Sequence, residues 1–227
     1  MLLSSCEFLG VFGGQMKKVI ILNGSPRKNW NTYKMCDSFA NGVRESGAEA
    51  EIINLYDIDF KGCRSCFACK LKNGKNFGRC AYPDGLTPIL DEVSKADGVV
   101  LASPIYFGDV TGVTRSLIER LFFPFFEYKE GYPSIAPKKP KTAVIYTMNV
   151  NENLGNEIYA DLFKKVEGFM EIAFNKPVRI CAFDTYQFSD YDKYVCEVFD
   201  KNHKLKQREE QFPKDLQKAF EAGKSFI

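Results

Sequence analysis

The sequence has a single histidine, His203, and that scarcity removes more chemistry than any other feature of its composition. A Ser-His-Asp triad or a multi-histidine zinc centre needs imidazoles that the chain does not have to spare. His203 lies in the charged stretch DKNHKLKQREEQ, which reads as a solvated surface segment. Net charge is nearly absent as well: 31 Lys and Arg face 29 Asp and Glu, a formal +2. Such a balance excludes the strongly basic footprint of a nucleic-acid-binding protein and gives no attraction to an anionic membrane. No apolar run approaches the ~20 residues that cross a bilayer. The opening residues, MLLSSCEFLGVFGGQ, are apolar but lack the basic start of a secretory signal. Residues 1–15 therefore read as an extension ahead of Met16, and a cytoplasmic, reducing location is expected, where structural disulfides are disfavoured.

What the chain does have is alternation. Short apolar runs at Val19–Leu22, Glu51–Leu55, Val99–Ala102, Ala143–Tyr146 and Val178–Phe183 read as strands. Between them lie residues at helical spacing: Cys36, Ala40 and Val43; Leu86, Ile89, Leu90 and Val93; Val113, Leu117 and Leu121; Ile158, Leu162, Val166 and Phe169. Pro213 opens a last helix with Leu216 and Phe220. Strands apolar along their whole length, separated by helices, predict an α/β fold: a doubly wound parallel sheet of five strands with helices on both faces. Residues 16–227 are expected to form one domain, interrupted by a cysteine-rich insertion at about 61–84. Ligands of such a sheet sit outside the carboxyl ends of its strands.

The turn after the first strand reads NGSPRKNWNTYKM. Gly24 permits a tight turn, Pro26 stiffens it, and Asn31 or Thr32 is expected to cap the following helix. Backbone N–H groups, the hydroxyls of Ser25 and Thr32, and the positive helix end suit a phosphate, and Arg27 adds a fork of donors. Neither G-x-G-x-x-G nor G-x-x-x-x-G-K-[ST] is present, so the common dinucleotide and NTP fingerprints are excluded. The third strand runs into ASPIYFGDVTG, where proline, aromatics and glycine make a stiff apolar shelf with accessible N–H groups. A planar heterocycle fits against Tyr106 and Phe107. Together the two loops imply a phosphorylated ring cofactor.

These two motifs resemble the flavin-binding loops of NAD(P)H-dependent FMN reductases and related flavodoxin-like proteins, in particular the iron-sulfur flavoproteins, over roughly Lys17 to Phe183. The resemblance implies a flavodoxin-like sheet of order 2-1-3-4-5 that binds FMN. It implies that Ser25, Arg27, Asn31 and Thr32 hold the phosphate, that Pro104, Ile105, Tyr106, Phe107 and Gly108 contact the ring, and that Thr147 belongs to a third loop. The implied activity is an FMN-dependent oxidoreductase, moving hydride or electrons from NAD(P)H to a quinone, a small electrophile or a redox protein. A flavin-carrying electron carrier without enzymatic activity is the alternative. Chemistry of this kind belongs to the flavin, so no catalytic side chain is named.

Half of the eight cysteines fall in CRSCFACKLKNGKNFGRC, at Cys63, Cys66, Cys69 and Cys80. A C-x2-C-x2-C run lets three thiolates converge, and a distant fourth completes a set. Zinc sites are more often built from separated C-x2-C pairs. The residues alone leave cluster ligands and plain reduced thiols both open, while the resemblance to iron-sulfur flavoproteins implies a [4Fe-4S] cubane. The ten-residue spacer before Cys80 is longer than that pattern, and Lys70, Lys72, Lys75 and Arg79 mark it as an exposed excursion able to carry Cys80 away. Finally, Phe122, Phe123, Phe125, Phe126, Tyr128 and Tyr132 surround Pro124, too many aromatics for one buried helix end. A subunit interface or a wall of the flavin pocket is expected there, and the family resemblance implies a homodimer or homotetramer.

Overall fold

Strand β1, Lys18–Asn23, is buried at every position after the first. Side chains alternate across a strand, so its apolar run must feed two cores, one on each face of the sheet. Ile20 and Leu22 join Val99, Leu101, Val144 and Tyr146 in one core, while Val19 and Ile21 join Val100, Ala102, Ala143 and Ile145 in the other. A computed structural model describes residues 16–227, and the expected extension over residues 1–15 lies outside the described residues.

The other strands are β2 (Glu49–Asn54), β3 (Gly98–Tyr106), the two-residue β4 (Asp109–Val110), β5 (Lys141–Thr147) and β6 (Val178–Ala182). Their order is β2-β1-β3-β5-β6, with β4 hairpinned onto the end of β3. All pairings in the main sheet are parallel. This is the expected 2-1-3-4-5 flavodoxin-like winding, once the small hairpin arm is set aside. Leu55 leaves the second strand one residue earlier than its apolar run suggested, because it opens a 3-10 turn, Leu55–Asp57.

Helices α1 (Asn31–Glu45) and α7 (Phe212–Lys224) cover one face; α2 (Thr87–Val93), α3 (Gly112–Phe122) and α5 (Ala160–Ala173) cover the other, with α4 (Glu152–Ile158) leading into α5. Helices α1 and α7 touch through glycines: a Cβ on Gly42 would lie 2.0 Å from the Phe220 carbonyl oxygen. No side chain fits that crossing. After β6 the chain makes a long excursion before α6 (Lys201–Lys206), which passes through a π-helical turn, Gln207–Gln211, into α7.

Two local expectations are corrected. Asn31 and Thr32 do not cap α1; Trp30 is the cap residue and no side chain accepts a bond from the first turn. Asn31 donates instead to the Tyr186 carbonyl at 2.8 Å, and the Thr32 hydroxyl shares a 2.7 Å bond with Thr147. The stretch around His203 is not wholly solvated either. His203 meets Asp184 at 2.5 Å, and its neighbour Lys204 is buried, donating to the Asn149 carbonyl at 2.8 Å and pairing with Asp184.

The aromatic segment divides. Phe122 and Phe125 are buried against Phe174, whereas Tyr128 and Tyr132 are exposed. Pro124 ends α3 as its ring requires, and Phe123–Phe125 form a 3-10 turn that leaves Phe123 and Phe126 half-buried, Phe126 against Phe169.

Candidate functional site

The carboxyl ends of β1, β3 and β5 converge on the turn that starts at Asn23. Gly24 donates its N–H to the Ala102 carbonyl at 2.8 Å, tying the turn to β3. A Cβ at Gly24 would sit 1.8 Å from the Thr114 hydroxyl, so only glycine lets the turn lie this low. The Asn23 side chain accepts from the Ser25 N–H at 3.1 Å and donates to Asn54 at 2.9 Å. Ser25 in turn accepts from the Arg27 N–H at 3.2 Å. On the far side, Thr111 donates to the Gly24 carbonyl at 2.7 Å and bonds Thr114 at 2.8 Å. The turn is thus held by β2, β3 and the start of α3, through side-chain amides, a main-chain bond and buried hydroxyls.

A cavity of about 120 Å³ opens above it, lined among others by Ser25, Arg27, Asn31, Thr32, Pro104, Ile105, Tyr106 and Thr147. Eight of the ten residues singled out in these loops therefore border one space. The remaining two, Phe107 and Gly108, form the tip of the β3–β4 hairpin outside it, both with left-handed backbone (φ 51° and 80°), and Phe107 is fully exposed. Burial pushes the Tyr106 hydroxyl up in pKa, against the opposing charge of Arg27.

The cavity has walls that the sequence reading missed: Trp30, Met148, Asn149, Thr185 and Gln187. The Arg27 guanidinium lies over the Trp30 ring, 3.9 Å from its centre, and donates to the Gln187 carbonyl at 2.6 Å. The indole N–H of Trp30 is buried without a partner. A buried unpaired donor costs about 1–3 kcal/mol unless something accepts from it. Thr185 and Gln187 follow the last strand, so the rule that ligands gather at strand carboxyl ends was the signal available for them.

The cysteine insertion lies beyond the other end of α3. Thr111, at the start of that helix, bonds the first loop, and Arg120, nine residues on, bonds Cys80; at 1.5 Å per residue their backbones are about 14 Å apart along the axis. Cys63, Cys66, Cys69 and Cys80 all line one small pocket of about 20 Å³, with Arg120, Phe123 and Pro124 behind it. The basic spacer does not carry Cys80 away. It makes an exposed loop that returns, closed by the Gly78 N–H on the Cys69 carbonyl at 3.0 Å. Lys70 is turned inward, donating to the carbonyls of Phe123 at 2.5 Å, Pro124 at 3.2 Å and Phe126.

Cys63 and Cys66 are exposed and Cys69 is buried. Burial raises the Cys69 thiol pKa, with the charge of Lys70 pulling against it. Ser65 and Phe67 are both left-handed (φ 53° and 55°), and the Ser65 N–H points at the Cys63 sulfur, 3.4 Å away. Each such residue costs of order 1 kcal/mol and persists only where its surroundings hold it. Among the described residues no group of three or more His, Cys, Asp or Glu is spaced to hold a single metal ion.

Among solved structures, the NAD(P)H:quinone oxidoreductase from Methanothermobacter marburgensis superposes with a TM-score of 0.71 at 14% identity, over 93% of this chain and 100% of that one. An FMN-dependent NADH-azoreductase from Bacillus anthracis in complex with FMN gives 0.60 at 15% identity, over 92% and 98%. At these identities the likeness is one of fold. An iron-sulfur flavoprotein of Archaeoglobus fulgidus is 41% identical over 103 residues, 45% of this chain and 48% of the relative. One from Methanocaldococcus jannaschii is 37% identical over 103 residues, 45% and 51%. The chain spans about half the length of these curated relatives, and it is with the iron-sulfur flavoprotein branch that its sequence aligns. Residues 17–156, which include both loops and the cysteine insertion, match the family described as NADPH-dependent FMN reductase, and the chain belongs to that family.

Proposed function

We propose that the protein is an FMN-dependent oxidoreductase that takes hydride or electrons from NAD(P)H and passes them to a quinone, a small electrophile or a redox protein. The observation that carries this reading is the buried, unpartnered Trp30 N–H beside Arg27, Ser25 and Thr32, on a cavity at the carboxyl ends of the strands. A buried N–H with no acceptor, beside a guanidinium and two hydroxyls, is what an anion site offers. The cavity is smaller than the ~300 Å³ or more of a whole cofactor pocket, so it suits the phosphate end. The ring then belongs to the open shelf of Pro104, Ile105 and Tyr106, with Phe107 and Gly108 at its lip.

FMN, once bound, supplies the hydride and single-electron chemistry. The chain's part is to bind and orient. Ser25, Arg27, Asn31 and Thr32 hold the phosphate charge; Thr147 keeps the Thr32 hydroxyl aimed; the β3–β4 hairpin supplies the flat face. Phe107, Tyr128 and Tyr132, all exposed, are surfaces for a homodimer or homotetramer.

The four thiols fit a [4Fe-4S] cluster in donor type and number, and a cluster spreads its thiolates wider than a single ion does. The pocket between them admits little more than a water, so accepting a cluster requires the exposed Cys63–Cys66 arm to move outward. One observation favours the electron-carrier alternative: Lys61, Arg64, Lys72 and Lys75 are exposed along residues 61–80, which hold no acidic residue, with Glu119, which accepts from the Cys63 N–H at 3.1 Å, the carboxylate set against them. A local basic face of this kind steers acidic partners.

Protein purified without oxygen should show flavin absorption, and the loaded protein should consume NADH or NADPH with an artificial acceptor. A protein that takes up no FMN removes the reading. One that binds FMN but does not turn over with either nucleotide is a carrier.

A further inference from the structure

Sealing an arginine inside a protein is expensive unless every donor is matched. Arg120 is sealed, its side chain 1% exposed, and its hydrogen bonds all go to the two ends of the cysteine insertion. Nη1 donates to the Lys61 carbonyl at 3.1 Å, where the insertion leaves the body of the fold. Nη2 donates to the Tyr82 carbonyl at 3.0 Å, where it returns. Both nitrogens grip the Asp84 carboxylate, which also accepts from the Leu86 N–H at 3.0 Å. Nε points at the Cys80 sulfur, 3.3 Å away. One planar group thus ties the outgoing strand of the loop, the returning strand and the fourth thiol to helix α3.

We propose that Arg120 is the positioning residue of the four-cysteine centre. Its guanidinium closes the neck of the insertion, so that a ten-residue spacer still delivers Cys80 to Cys63, Cys66 and Cys69. Its Nε–H then holds the Cys80 sulfur and raises the reduction potential of the cluster these thiols carry. The first statement stands on the geometry alone; the second rests on the cluster reading above. The direction of the second follows from charge. A donor to a ligand sulfur favours the more negative, reduced cluster. A fork is required because the four partners are met by three different nitrogens of one rigid group, and a lysine ammonium supplies charge without that fork.

The test compares wild type with Arg120→Lys and Arg120→Met, using FMN affinity to confirm that each variant is folded. In metal-free protein, trypsin should cut at the exposed Lys72 and Lys75 about tenfold faster in both variants, because the loop opens more often. Unchanged cleavage overturns the neck-closing role. After anaerobic reconstitution, Arg120→Met should hold less iron and sulfide than wild type. Arg120→Lys should titrate at a lower potential, by about tenfold in the reduced-to-oxidised ratio, or about 59 mV for a one-electron couple. Equal potentials overturn the sulfur contact as a tuning device. If wild type itself takes up no iron, the cluster reading falls with the potential claim, and the cleavage rates alone decide the neck-closing role.

Discussion

The first strand-end loop and the cysteine insertion are built by opposite means. The first loop is part of the framework: Gly24 is bonded to Ala102 within β3, Asn23 to Asn54 at the end of β2, Thr32 to Thr147 at the end of β5. Every one of these contacts is to a strand residue that the sheet places anyway. The cysteine insertion has almost no regular structure, only a 3-10 turn at Ala68–Lys70, and is held by side chains reaching in from outside it or back from within it, chiefly Arg120 and Lys70. The lesson is that the proposed phosphate loop comes with the fold, whereas the four-thiol insertion has to be added and separately anchored. Each region should therefore fail without the other.

The sharpest way to break that comparison is Cys66→Ala. Loss of one exposed thiol should abolish iron and sulfide in anaerobically reconstituted protein and leave FMN affinity unchanged, read by elemental analysis and flavin fluorescence. Joint loss of both would show that the regions are one cooperative unit.

The converse change is Arg27→Gln. It removes the charged donor stacked on Trp30 and should weaken FMN about 10- to 100-fold, the worth of a charge-assisted hydrogen bond at about 1.5–3 kcal/mol. Riboflavin, which has no phosphate, should bind wild type and variant alike, and iron content should not change. An equal loss for riboflavin would place Arg27 away from the phosphate.

A smaller effect tests how rigid the framework is. Gly24→Ala forces a methyl against the Thr114 hydroxyl and should cost about 1–3 kcal/mol in urea unfolding. Adding Thr114→Ala, which deletes that hydroxyl, should recover part of the loss. No recovery would mean that the Ala102 carbonyl, 3.1 Å from the added Cβ, is the true obstacle.

How far these regions could be read from the sequence follows the same division. Parallel β1, β3 and β5 are apolar along their length, so their existence, order and carboxyl-end loop were legible in NGSPRKNWNT and SPIYFG. Trp30, Gln187 and Arg120 were not. Their roles depend on contacts across long separations, such as Arg27 with Gln187 and Arg120 with Lys61, which no local spacing encodes. Capping failed at Asn31 and Thr32 for a related reason: tertiary partners, the Tyr186 carbonyl and the Thr147 hydroxyl, engage the side chains that were expected to accept from the helix's first N–H groups. The charges in KLKNGKNFGR suggested an excursion and gave no sign of its return, because the residue that closes it sits 40 positions beyond Cys80 on α3.

The mildest prediction concerns a group that belongs to neither region. Asp97, at the amino end of β3, accepts from Lys138 at 2.7 Å and from the Lys18 N–H at 2.9 Å. The Lys138 hydrogen bond, and then that of Lys18, hold its carboxyl below the usual range. A carboxylate whose folded pKa is depressed contributes stability above its unfolded value, near 3.9, and loses it as pH falls through the folded value. Asp97→Asn should therefore cost about 1 kcal/mol at pH 7, since the pair is partly exposed. That difference should hold to about pH 5 and shrink below about pH 4, measured by urea unfolding across the series. FMN and iron per folded molecule should stay at wild-type levels throughout. A difference that persisted undiminished at pH 3 would show that Asp97 acts by shape and not by charge. A loss of either cofactor would mean that the amino end of the sheet is coupled to a site at its far end, against the division drawn between framework and appended loop.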